Sequence, residues 1–214
     1  MYAQRVREVL APYANQDNAI GMRAYMREQF SFLGVKTSER RAATKELIMA
    51  WKTQPSSTIY EIVDELWEQQ EREFHYVACD LLRAFKGDLD LMWLAQLVTT
   101  HSWWDSVDSL ARPVGARAKA NDMRAWAATD NLWLRRVSII HQLGFKDKTD
   151  EALLAELILS ATGTSEFFLN KAIGWALRDY ARSNEDWVRR FILLHRDELS
   201  HLSIREATKH FTLE

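Results

Sequence analysis

The feature that most constrains this chain is a recurrence. The segments Glu73-Phe74-His75-Tyr76-Val77-Ala78, Trp103-Trp104-Asp105-Ser106-Val107-Asp108, Leu132-Trp133-Leu134-Arg135-Arg136-Val137, Phe167-Phe168-Leu169-Asn170-Lys171-Ala172 and Leu202-Ser203-Ile204-Arg205-Glu206-Ala207 return roughly every 30 to 35 residues. Each is preceded by a helical stretch and a short polar break. A single unit of this kind cannot bury its apolar face, whereas stacked units bury a continuous core. The recurrence therefore predicts an array of two-helix repeats whose equivalent helices line one surface.

The period is somewhat shorter than the roughly 40 to 47 residues of HEAT and armadillo units. The expected fold class is all-α, a superhelical array of HEAT-like two-helix repeats forming a concave groove, with residues 1–214 as a single domain. Composition agrees: in 214 residues there are 7 Gly and 3 Pro, and no alternating apolar stretch is long enough to argue for a sheet. Val6, Val9 and Leu10 begin one amphipathic segment, and Ala24 to Phe32 begins another that breaks at Gly34. Thr37 or Ser38 reads as the N-cap of a helix carrying Leu47, Ile48 and Trp51. Further breaks are expected at Pro55 to Thr58, Lys86 to Asp88, Pro113 to Gly115, Ala128 to Asn131, Gly144 to Asp150, Thr162 to Ser165 and Ser183-Asn184.

The single cysteine, Cys79, lies in an apolar run, which excludes a disulfide framework and points to a buried thiol. No secretory signal is expected at the N-terminus, and no apolar run reaches the about 18 residues of a membrane span, so a cytoplasmic protein with no membrane partner is anticipated. His101, His141, His195 and His201 have no metal-ligand spacing, and neither a Gly-rich phosphate loop nor a Ser-His-Asp set is present; no metal or cofactor is expected. The formal charge is -2. Its distribution matters more: acidic residues crowd positions 61–73, whereas Arg112, Arg117, Lys119, Arg124, Arg135, Arg136, Lys146 and Lys148 dominate 109–148. Such a basic stretch is either a solvated helix surface or a local attractor for a polyanion.

The densest chemistry lies at His101 to Ala111, where two indoles and two carboxylates share little more than one helical turn. Trp104 and Asp108 are four apart and project from one helix face. A ring quadrupole beside a carboxylate suits a cationic ligand, although core tryptophans beside solvated aspartates would give the same spacing.

Across nearly its whole length, the chain resembles the AlkD-like alkylpurine DNA glycosylases, a family of DNA alkylation repair proteins built from HEAT-like repeats. The resemblance is carried by Ala24-Tyr25-Met26, Phe32-Leu33-Gly34-Val35-Lys36-Thr37-Ser38-Glu39-Arg40-Arg41, Glu65-Leu66-Trp67, Glu71-Arg72-Glu73-Phe74, Ser102 to Ser109, Asp130 to Arg136, Phe167-Phe168, Lys171 to Arg178 and Arg205-Glu206-Ala207. Trp-Trp-Asp-x-Val-Asp and Gly-Trp-x-Leu-Arg are its specific parts. In the family a longer tail follows the position of Phe211, after which the sequence here reads Thr212-Leu213-Glu214.

What the resemblance implies is hydrolysis of the N-glycosidic bond of cationic alkylated purines, such as N3-methyladenine and N7-methylguanine, in double-stranded DNA without base flipping. Bulky N3 or N7 adducts could then be accommodated. Asp108 matches the catalytic carboxylate, and Trp104 and Trp175 match the aromatic residues that flank the lesion's sugar. Arg136 matches a phosphate-anchoring arginine; Arg178, Lys36, Thr37 and Arg41 match backbone-contacting positions, and Tyr25 a groove-facing tyrosine. A monomer acting without cofactor is implied. The competing reading is a non-catalytic HEAT-repeat module that binds DNA or protein, which loss of Asp108 or of the paired tryptophans would have favoured.

Overall fold

The computed structural model describes residues 1–213, and within them the chain is helical throughout, with no named strand and one isolated bridge between Ser31 and Glu71. It divides into two compact units, Met1–Leu89 and the segment from Asp90 onward.

The first unit contains α1 (Tyr2–Leu10), a 3₁₀ turn (Ala11–Tyr13), α2 (Gln16–Tyr25), α3 (Thr37–Trp51), α4 (Ser56–Trp67) and α5 (Arg72–Ala84). Helix α5 packs on α3 and α4, and α1 packs on both of those. The core between them includes Val6, Leu10, Ile59, Ile62, Val63, Leu66, Phe74, Val77 and Leu81, all at or near zero exposure. Cys79 is buried, as its apolar neighbours predict.

Helix α2 departs from the helical reading of Ala24 to Phe32. It starts earlier, where the Asn15 side chain accepts from the Asn18 N–H at 2.9 Å, and it ends at Tyr25. Beyond it, Arg27 and Glu28 take φ of 54° and 58°. The Arg27 N–H donates to the Ala24 carbonyl and the Glu28 N–H to the Arg23 carbonyl, so the helix ends in a Schellman motif with Arg27 in the place usually held by glycine. Apolar spacing beyond Met26 gave no sign of that stop.

The Phe32-Leu33-Gly34-Val35 segment is tied down from beneath. Fully buried Glu73 accepts the N–H groups of Leu33, Gly34 and Val35 at 3.0, 2.8 and 3.1 Å. Gly34 has φ +83°, and a Cβ there would lie 1.9 Å from the Asn15 carbonyl oxygen, so only glycine fits. At the start of α3 the cap position is Lys36 rather than Thr37 or Ser38, and its N–H donates to the Glu39 carboxylate at 3.2 Å.

The second unit contains α6 (Leu91–Thr99), α7 (Trp104–Gly115), α8 (Ala120–Ala127), α9 (Leu132–Ile140), a 3₁₀ turn (Lys146–Lys148), α10 (Glu151–Leu159), α11 (Phe167–Ala181), α12 (Glu185–Leu194) and α13 (His201–Ala207). Side-chain caps set most of these starts: Asp90, Asn131, Asp150, Asn184 and Ser200 each accept a backbone N–H from the first turn that follows. Helices α7, α9, α11 and α13 pack in series, each on the next, while α6 backs both α7 and α9, α8 backs α9 and α12 backs α11. The break expected at Pro113 to Gly115 falls at the far end of that range. Helix α7 runs through Pro113 to Gly115, because the proline falls in the last turn with its ring buried and forfeits only one helix bond.

Recurrence in the sequence thus becomes a layer of parallel-role helices beginning at Trp104, Leu132, Phe167 and His201. Their tightest meeting is between α11 and α13. A Cβ on Gly174 would stand 2.4 Å from the Glu206 Cβ and 2.7 Å from the Ser203 carbonyl oxygen, and the Ser203 hydroxyl donates to the Asn170 carbonyl at 2.9 Å.

Candidate active site

Asp108 lies one turn after Trp104 on α7, and the adjoining helix α9 supplies its partner. Arg136 donates from Nε to one carboxylate oxygen of Asp108 at 2.7 Å and from Nη2 to the other at 2.8 Å. Its Nη1 donates to the Phe168 carbonyl at the start of α11. One guanidinium therefore joins three successive inner helices. A fork of this kind fixes the carboxylate plane as a lysine could not.

The Asp108 side chain is 14% exposed and that of Arg136 only 4%. Burial drives the Asp108 carboxyl above the usual carboxylate range; Arg136 pulls against this, and neighbouring Asp105 adds to the rise. A carboxylate accepts at about four lone-pair positions, of which the fork uses two. The remaining ones can meet water or a ligand.

Arg136 therefore differs from the phosphate anchor that the resemblance implies. Its guanidinium is buried, and three of its five N–H donors are used on Asp108 and Phe168. Adjacent Arg135 is the more exposed of the two, since α9 turns positions 136 to 140 inward. Helical periodicity alone left both arginines as candidates for solvent.

Around the ion pair stands an aromatic cluster built from the first residues of three helices. Trp103 meets Trp133 and Phe168 with ring centroids 5.9 and 5.4 Å apart, and Trp133 meets Phe168 at 5.1 Å. Phe167, 54% exposed, stands edge-on to Phe168. This cluster gives the paired tryptophans different duties: Trp103 holds the helix starts together, and Trp104 and Trp175 remain half-exposed on α7 and α11.

Arg178, on the last turn of α11, donates to the Glu206 carboxylate at 2.8 Å and to the Glu206 carbonyl at 3.2 Å. Lys171 and Lys209 reach the same carboxylate at 2.7 and 2.8 Å. Burial alone would raise the Glu206 carboxyl, but hydrogen bonds from Lys171, Lys209 and Arg178 outweigh it and hold the group at about 2. Glu206 was visible in the sequence only as a member of the Leu202 to Ala207 segment, and two of its three partners lie 35 and 28 positions away, so no local pattern announced the cluster.

In the first unit Tyr25 is 71% exposed on the end of α2, and Lys36, Thr37 and Arg41 are exposed at the start of α3. Arg41 shares Asp80 of α5 with Arg40 and Arg83, at 3.5, 3.2 and 2.5 Å. Sequence reasoning missed the pairing of Asp80 with Arg40 for the same reason as Glu206, since the two lie 40 positions apart. Among the described residues no group of three or more His, Cys, Asp or Glu is placed to hold a metal ion, and no helix is long and apolar enough to cross a membrane.

Helical repeats carrying a buried carboxylate-arginine fork, framed by aromatic helix starts, define an all-α scaffold with one chemically loaded end to its inner layer. Residues 6–211 match the model of the family described as DNA alkylation repair enzyme, and the chain belongs to that family. A solved structure described as a predicted DNA alkylation repair enzyme from Enterococcus faecalis is 33% identical, with 94% of this chain and 98% of that one covered and a TM-score of 0.83. No curated protein matches the chain.

Proposed function

We propose that the chain is a monofunctional alkylpurine DNA glycosylase, hydrolysing the N-glycosidic bond of cationic purines such as N3-methyladenine and N7-methylguanine in double-stranded DNA. The observation that carries this reading is the Asp108 carboxylate, buried, forked by Arg136 and one turn from half-exposed Trp104.

A cationic base needs no general acid, because it departs neutral with the bonding pair. What remains is the positive charge that develops on the deoxyribose as the bond stretches. Asp108 is suited to oppose that charge, and in a poorly solvated site the interaction is stronger than in water. Water then adds its oxygen to the sugar carbon and releases a proton. The products are free base, an abasic site and one proton. Trp104 and Trp175 offer electron-rich faces to the sugar's C–H groups and to the developing cation. Arg136 acts through Asp108 as a positioning residue: it fixes the carboxylate plane and opposes protonation. Arg178, Lys36, Thr37, Arg41 and Tyr25 are assigned to the DNA backbone, with a monomer acting without cofactor or membrane. Bulky N3 or N7 adducts fall within the same chemistry, since expulsion of the cation and not a base pocket sets selectivity.

The test is release of free base from duplexes containing N7-methylguanine or N3-methyladenine, with Asp108→Asn alongside and DNA binding measured for both. Release by the native protein and a large loss in a variant that still binds support the enzyme. Binding without release by the native protein moves the chain to the non-catalytic HEAT-repeat class.

A further inference from the structure

The Glu206 cluster carries more positive charge than its structural duty requires. At Asp108 a single arginine suffices to partner a nearly buried carboxylate. Glu206 is only 5% exposed at its side chain yet collects three cations, Lys171, Arg178 and Lys209, which are 37%, 19% and 46% exposed. Three positive charges against one negative charge leave a surplus of two, held on half-open side chains around a fixed centre. Like charges gathered this closely repel one another, and an incoming anion relieves the repulsion.

The placement is as informative as the charge. Lys171, Trp175 and Arg178 are spaced i, i+4 and i+7 along α11, so they form one stripe with half-exposed Trp175 between two cations. Lys209 joins from just beyond α13 by way of Glu206. A cation, an aromatic face and a second cation in line match the alternation of phosphate, sugar and phosphate along a nucleic-acid strand. Glu206 holds the basic side chains extended before any ligand arrives, which lowers the ordering cost of binding.

We infer that Lys171, Arg178 and Lys209, preset by Glu206, form a two-phosphate subsite for the DNA strand whose sugar rests on Trp175. The inference deepens the proposed function and shares its reading of Trp175, but it concerns undamaged backbone and needs no bond to break. Arg178 is the member that the family resemblance already points to; Lys171, Lys209 and the organising carboxylate come from the geometry.

The experiment uses the full chain and a short unmodified DNA duplex, with the dissociation constant measured over a salt series. Each phosphate neutralised contributes about 0.9 to the slope of log affinity against log salt. The Lys171→Ala/Lys209→Ala variant is expected to bind with a slope shallower by about 1.8, and at least tenfold more weakly at low salt. A control that removes the same charge away from that stripe, on and after α12, Arg190→Ala/Arg196→Ala, is expected to change the slope by less than half as much. Lys209→Ala alone, altering the most exposed member, should reduce the slope by about 0.9 and serves if the double variant does not fold. An unchanged slope in Lys209→Ala, or an equal loss in the control, overturns the subsite. Because no base release is measured, failure of the glycosylase reading and failure of the subsite are separate results.

Discussion

Asp108 and Glu206 are both carboxylates buried against the inner helices of the second unit, and they are pushed in opposite directions. Burial wins at Asp108, whose carboxyl rises above its ordinary range although Arg136 forks it; hydrogen bonds from three cations win at Glu206, which is held at about 2. The difference lies in the number of positive partners and in the neighbour of like charge, Asp105, that only Asp108 has. A carboxylate with surplus cations is locked in the charged form and becomes scaffold. One that is matched by a single cation keeps an ionisation that its surroundings can still tip, which suits a group that must meet a transient positive charge.

The contrast can be broken most severely at Asp108 itself. An opposite charge at about 4 Å in a medium of effective dielectric near 20 is worth on the order of 4 kcal/mol. Asp108→Asn is therefore expected to slow single-turnover release of N7-methylguanine by two to three powers of ten, with duplex binding retained. A loss below tenfold would place the main catalytic charge elsewhere.

Glu206→Gln tests the scaffold side. Its carboxyl lies below the usual value of 4.5, so its stabilising contribution is present above that value and is lost as pH falls toward about 2. The variant should lose on the order of 2 to 3 kcal/mol in chemical denaturation at neutral pH, and the gap to the native protein should close in acid. A constant gap across that window would mean that packing, and not charge, is what Glu206 contributes.

Arg136→Lys should cost roughly tenfold in base release, because an ammonium cannot fork both oxygens. Release requires ionised Asp108, so the rate climbs with pH through a limb above the usual carboxylate range, and weakening the fork moves that limb higher still. The smallest effect is expected from Asp105→Asn, which removes a like charge and should move the same limb slightly down. Limbs that shift together in one direction would show that the two neighbours do not act through the Asp108 ionisation.

The fold was readable to the extent that its information is local. Asn131, Asp150 and Asn184 announce helix starts because their side chains cap within three residues, and the aromatic recurrence located the inner helices because each must cover the same seam. The pairing of Trp104 with Asp108 on one face follows from helical geometry alone. Partnerships across helices were invisible: Asp108 with Arg136, Glu73 with the Leu33 to Val35 amides and Asp80 with Arg40 and Arg41 all join residues far apart in the chain. Nor did periodicity foresee the left-handed stop at Arg27, which depends on backbone bonds back to α2 and not on side-chain pattern.

Gly174 sets how closely α11 and α13 meet. The Glu206 Cβ and the Ser203 carbonyl oxygen occupy the space that a Cβ at position 174 would need, so α13 rests on the bare backbone of α11. Lys171 lies three residues to one side of that contact and Arg178 four to the other. One carboxylate rooted at the point of closest approach therefore reaches both, and the missing side chain of a glycine is what lets a single residue of α13 hold two ends of the stripe at once.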